Sequence, residues 1–182
     1  MTGLRKLRGL LEDMADADHY LFGPADLAPL FPECSRAALK MLFRRAVDDG
    51  LLVPVCRGMY LCKRAPWPRG LLLYHAASKL RADTFNYISL ESALSDAGII
   101  SQVPLQWLTI MSGGRSANIE CGNFGTIEFI HTGKLPARLA GRVFHDTRCG
   151  LWRASVPLAL EDMRACKRPL DLVDWSAVDE SL

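Results

Sequence analysis

Residues 35–61, SRAALKMLFRRAVDDGLLVPVCRGMYL, read as a helix, a stop and a two-stranded hairpin. Ser35 is placed to cap the helix, because its hydroxyl can accept from an amide that the first turn leaves open. Leu39, Leu42, Phe43 and Ala46 follow at i, i+3, i+4 and i+7, one apolar stripe for a core. Arg36, Lys40 and Arg44 fall on a different face. Gly50 supplies the left-handed position that ends a helix at little cost. Beyond it, LLVPVC and MYLC are β-prone runs separated by Arg57-Gly58. A helix with a basic outer face, followed at once by a hairpin with arginine at its tip, is the order of a winged helix-turn-helix. In that fold the helix enters the major groove and the hairpin lies along the neighbouring backbone. A row of basic residues on one helix is equally what a solvated surface looks like, so the reading depends on the elements around it.

Upstream, Leu4, Leu7, Leu11 and Met14, with Leu10 beside them, make an amphipathic first helix. Tyr20-Leu21-Phe22 suits a small strand or a packed connection. Gly23-Pro24 opens a second helix, with the proline suited to its first turn. Its core face would be Leu27, Leu30 and Phe31, and Pro29 keeps it short or kinked. Three helices with a tight turn before the third match the helix-turn-helix arrangement.

Composition narrows the field. An apolar share of 49% against 23% charged residues excludes a disordered chain. The 182 residues suffice for one domain or two small ones. A net charge of +2 leaves no whole-protein footprint for nucleic acid, so any such affinity must come from a local patch. No apolar run reaches the roughly eighteen residues of a membrane span. Arg8 and the acidic EDMADAD interrupt any signal-peptide core, so a cytoplasmic protein is expected. The six cysteines, Cys34, Cys56, Cys62, Cys121, Cys149 and Cys166, form no CxxC pair. The Cys56/Cys62 and His145/Cys149 spacings match no zinc ligand set either. Free thiols, with no metal and no cofactor, are the expectation.

From Lys63 the composition shifts to KRAPWPRG, an inter-domain linker or a surface loop of a single domain. Beyond it Leu73, Ala76, Ala77 and Leu80 define a buried helix face. In NYISLESALSDAGII, Ser89 can cap a helix that runs to about Ala97 and stops at Gly98, with Glu91 favourable in its first turn. LQWLTIM (Leu105 to Met111) and TIEFIH (Thr126 to His131) read as strands, Arg142 to His145 as another short one. The intervening Gly113-Gly114 lacks the ending of a phosphate loop. A last helix is expected from about Val156, with Pro157 in its first turn. The fold class predicted is α+β. A winged helix-turn-helix spans residues 1–64, residues 63–70 are the linker, and a mixed α/β domain spans 71–182.

The same segments carry a resemblance. LFGPADLAPLFPECSRAALKMLFRRAVDDGLLVPVCRGMYL resembles the N-terminal winged helix of AbiEi-type antitoxins of type IV toxin–antitoxin systems, including the Arg-Gly-x-Tyr of the wing. NYISLESALSDAGII is similar to that family's Tyr-x-Ser-Leu-Glu-Ser-Ala-Leu segment, and ASVPLALEDM to a weaker motif near Ala-Ser-Pro-x-Lys-Ala-Leu-x-Asp. In the last, Ala154, Ser155, Ala159, Leu160 and Asp162 match, Pro157 is displaced by one, and Leu158 stands where lysine is usual. The resemblance implies a protein that represses its own operon by binding inverted repeats in double-stranded DNA. It also implies a C-terminal domain that counters a nucleotidyltransferase-like toxin. A homodimer on the inverted repeats belongs to the same expectation.

On a DNA-binding reading, Arg36 at the helix start would read a base, since arginine can address guanine through two hydrogen bonds. Ser35 and Arg57 would position phosphate, and Lys40 and Arg44 could do either. The enzyme class has weaker support. Asp83, Glu120 and Glu128 are the best acidic set for a metal-dependent nuclease, but no lysine follows Glu128 on its strand. The four histidines are scattered with no nucleophile elbow, so no catalytic residue is expected. The third class is a winged-helix regulator whose C-terminal half senses a ligand or dimerises, with no toxin partner.

Overall fold

In a computed structural model, which describes residues 3–101 and 106–180, α1 (Gly3–Met14) buries Leu7 and Leu11 on one side. Met14, expected in that stripe, is exposed at the helix end. β1 (Leu21–Phe22) leads into α2 (Pro24–Leu27), which tightens into a 3₁₀ turn over Ala28–Leu30. Pro29 lies in that turn, where it leaves no α-helical hydrogen bond to break. Leu27 and Phe31 reach the core, but Leu30 is turned outward and exposed, a correction to the expected face.

α3 (Arg36–Asp48) starts and stops by local chemistry. Ser35 Oγ accepts from the Ala38 amide at 3.1 Å. At the far end Gly50 takes φ +69°, the Leu51 amide donates to Ala46 O and the Gly50 amide to Val47 O. That pair of bonds is the Schellman ending, which satisfies carbonyls the helix would leave open. Leu39, Leu42, Phe43 and Ala46 are buried. β2 (Leu52–Cys56) and β3 (Met59–Cys62) follow as an antiparallel pair, and β1 adds to the other side of β3.

The chain divides into two compact units, residues 1–72 and 73–182. The segment expected as a linker belongs to the first. Ala65 is buried, and the Trp67 ring stacks on Tyr20 with centroids 6.2 Å apart. Its prolines hold it extended, but its apolar residues give it a surface to lie on.

The second unit holds a six-stranded sheet in the order β6-β7-β5-β4-β9-β8. After α4 (Leu72–Leu80) come β4 (Asn86–Ile88) and α5 (Leu90–Asp96), so Asn-Tyr-Ile, ahead of the helix expected from Ser89, is a strand. β5 (Trp107–Ser112) and β7 (Thr126–His131) run parallel, with β6 (Ala117–Glu120) antiparallel outside β7. The start expected for β5, Leu105, lies outside the described residues. After α6 (Pro136–Leu139), β8 (Val143–Asp146) and β9 (Leu151–Ala154) pair antiparallel, and β9 runs parallel to β4. α7 (Val156–Ala165) packs on α5, and α8 (Trp175–Glu180) follows. In α4 Leu73, Ala76 and Ala77 are buried and Leu80 only half so. The described residues thus form a mixed α+β protein with eight α-helices and two sheets. None of these helices is long and apolar enough to cross a membrane.

Candidate nucleic-acid interface

The outer surface of α3 carries Arg36, Lys40 and Arg44, all exposed, at the helical spacing that puts them in one row. Three other basic side chains of this unit are paired. Lys6 pairs with Glu33 at 3.5 Å, Arg8 with Asp49 at 2.5 Å and Arg64 with Glu12 at 3.2 Å. Arg36, Lys40 and Arg44 make no ion pair among the described residues, nor does Arg45 beside them. An exposed cation without a carboxylate keeps its full field for an anionic partner. Ser35, at the head of the row, accepts the capping bond and keeps its hydroxyl proton to donate.

Arg57 stands exposed at the hairpin tip with Gly58 at φ +79°. Two contacts fix that hairpin against the helices. The Phe43 ring, on the core side of α3, meets the Tyr60 ring of β3 at 5.1 Å between centroids. Gly23, at the start of α2, lies so close to the tip that a Cβ there would sit 2.6 Å from Gly58 O. All five residues singled out in the sequence are therefore on the surface of one unit, four on or at the head of α3 and one on the adjoining hairpin. The sequence reading passed over Met41, 51% exposed on the same helix. Its absence from the Leu39/Leu42/Phe43/Ala46 stripe was the available signal.

The second unit holds a buried polar node. The Asp162 carboxylate of α7 has no exposure. It accepts from Tyr87 Oη at 3.0 Å and Ser89 Oγ at 2.7 Å, and Lys134 Nζ lies 2.6 Å from its other oxygen. Burial, and then the Asp162 charge, push the Tyr87 phenol above its ordinary range. Burial pulls Lys134 down, but its bonds to Asp162 and Glu161 outweigh that and hold it above an ordinary lysine. Ser89 is thus not the side-chain cap expected for α5. The first-turn amide of Ser92 is met instead by Thr109 Oγ1 at 3.2 Å, which itself donates to Ser89 O. Leu90, at the turn between β4 and α5, is held at φ +55°, a strained position for a branched side chain.

The candidate nuclease carboxylates each serve a local partner. Glu128 accepts from Trp107 Nε1 and pairs with Arg168, Glu120 accepts from Thr126, and Asp83 from Thr84. Among the described residues no group of three or more His, Cys, Asp or Glu is placed to hold a metal ion. One cleft of about 180 Å³ opens beside Arg81, Asn86 and Trp152. Asn86 donates to two carbonyls, which fixes its amide orientation, and its Oδ1 is buried without a partner. The chain matches no family model and no curated protein.

Proposed function

We propose that this protein is a winged-helix DNA-binding antitoxin of the AbiEi type, acting in the cytoplasm as repressor of its own operon and as counter to a nucleotidyltransferase-like toxin. The observation that carries the DNA-binding half is the row Arg36, Lys40 and Arg44. These side chains remain unpaired on a capped helix, in a unit where Lys6, Arg8 and Arg64 each meet a carboxylate. The adjoining hairpin presents Arg57 and is braced by Phe43–Tyr60. Phosphate contacts from the hairpin and base contacts from the helix are the division of labour such a unit would use.

Support for the antitoxin half is the resemblance of two segments that the fold brings together. Tyr87 and Ser89 of the first donate to Asp162 of the second. Leu158, where the motif usually has lysine, is fully buried, and the cation at Asp162 comes from Lys134. The regulator with a ligand-sensing second half is favoured by one observation, the orphan Asn86 Oδ1 beside the 180 Å³ cleft.

The test is a paired assay on the full chain: binding to the DNA upstream of its own gene, and survival of cells expressing the adjacent toxin gene. Arg36→Ala should cost about 1–3 kcal/mol and relax sequence preference. Arg57→Ala should weaken all sequences alike and flatten the salt dependence by about one unit. Wild-type binding by both variants would reject this face. Operator binding without rescue would favour the sensor.

A further inference from the structure

We infer that α3 reads thymine through an apolar ridge: Met41 contacts the 5-methyl group of a thymine in the major groove, and the small Ala37 side chain one turn earlier lets the helix approach. This rests on the DNA-binding reading above and adds a base identity to it. Met41 is 51% exposed, more than Met14 at 43% or Leu30 at 38%, the other large apolar side chains exposed in this unit. It takes no part in the core, which Leu39, Leu42, Phe43 and Ala46 fill from the opposite side. At 3.6 residues per turn, Ala37 and Met41 lie between the row Arg36–Lys40–Arg44 and Arg45. An apolar ridge between cations matches the cross-section of the groove, with phosphates at its rims and base edges on its floor. Among those edges only thymine presents a methyl group. The unbranched thioether of methionine adapts to such a contact without a fixed shape. Asp48, also exposed but at the C-terminal end of the helix, would face phosphate repulsively. The contact is therefore confined to the first three turns, the end that a recognition helix inserts.

The experiment enriches a duplex from a random pool with the full chain, then replaces each thymine of the enriched site singly by deoxyuridine, which removes the methyl alone. Wild type should bind about fourfold more weakly at one or two positions per half-site, the roughly 0.8 kcal/mol of one buried methyl-sized group. Met41→Ala keeps helix propensity at an exposed position, so it folds. It should lose the same factor on the thymine duplex and be indifferent to uracil there. An enriched site at which every uracil is neutral overturns the inference and leaves the DNA-binding reading standing. So does a uracil penalty that persists unchanged in Met41→Ala, because another residue then reads the methyl. If no sequence is enriched at all, the DNA-binding reading fails and the inference with it.

Discussion

Replacing Lys134 by methionine isolates the energetics of the second unit. The side chain keeps its length and apolar stem and loses only the ammonium group, which sits 2.6 Å from Asp162 and 2.6 Å from Glu161, the latter keeping Arg142 as a partner. Asp162 is fully buried, so its charge cannot be returned to water. It would retain Tyr87 and Ser89 as donors but no cation. Removing one partner of a buried pair costs about 3–5 kcal/mol. The two remaining hydroxyl donors and the quarter exposure of Lys134 place this case at the lower end, about 3 kcal/mol. For a unit of this size that lowers the melting temperature by roughly 10 °C. The double variant Lys134→Met/Asp162→Asn removes the uncompensated charge and should recover about 2 kcal/mol or more of the single variant's loss. Thermal and urea melts at pH 7 on the wild type, both single variants and the double variant complete the cycle. A loss below about 1 kcal/mol at pH 7 would make the contact an ordinary surface pair and refute the reasoning.

Gly23→Ala should cost on the order of 1–3 kcal/mol, because the added methyl would lie 2.6 Å from the Gly58 carbonyl. It should also weaken DNA binding by displacing the hairpin tip, read by anisotropy on the operator at a temperature where the variant is folded. A fragment ending at Leu72 should melt roughly 10 °C above one ending at Cys62. The longer one keeps buried Ala65 and the Trp67–Tyr20 stack, together about 2 kcal/mol. Lys134 and Arg142 hold Glu161 at about 2, below its ordinary 4.5. Its contribution is therefore complete above pH 4.5 and is lost as pH falls toward 2. Glu161→Gln should narrow the gap between melts at pH 5 and pH 2.5, modestly, since the side chain is 47% exposed.

What could be read from the sequence followed from how local each determinant is. α3 was legible end to end because Ser35, the apolar stripe and Gly50 act within one or two turns. β5 and β7 were legible as β-branched and aromatic runs. β4 was not, because Asn86–Ile88 is three residues long and abuts a motif with helical periodicity. β6 and β9, four residues each, gave no clear alternation, and their places in the sheet are set by pairing with distant strands. Ser89 shows the same competition at one atom. Local chemistry favours a cap, but a buried carboxylate 73 residues away takes its hydroxyl. Over residues 63–70 the prolines announce an extended chain and say nothing of what Ala65 and Trp67 lie against. In the first unit every nominated residue is surface-placed, since polar residues off a core stripe have nowhere else to go. Met41 was not nominated because its side chain has no polar group to suggest a contact.

The buried node also bears on where toxin neutralisation should be sought. Tyr87, Ser89 and Asp162 have no exposure, so no partner can touch these three of the residues that carry the resemblance in the second half. What they do is join β4 and the head of α5 to α7, across a turn strained at Leu90. Substitutions at such a node act through stability. Loss of rescue in Asp162→Ala would thus carry no information about contact with a toxin unless the protein's level and melt were unchanged. If the proposed toxin is countered by direct contact, the contact lies on side chains the fold leaves outside. On the β8–β9 pair at one edge of the sheet Phe144 is 54% and Trp152 39% exposed, and the register, Phe144 opposite Arg153 and Trp152 opposite His145, puts them on opposite faces. Charged substitutions there, Phe144→Glu and Trp152→Glu, leave the node intact and separate a contact surface from a scaffold. If rescue fails while the melting temperature holds within about 2 °C, less than 1 kcal/mol for a unit this size, the edge is a contact surface. If rescue survives both, it is not.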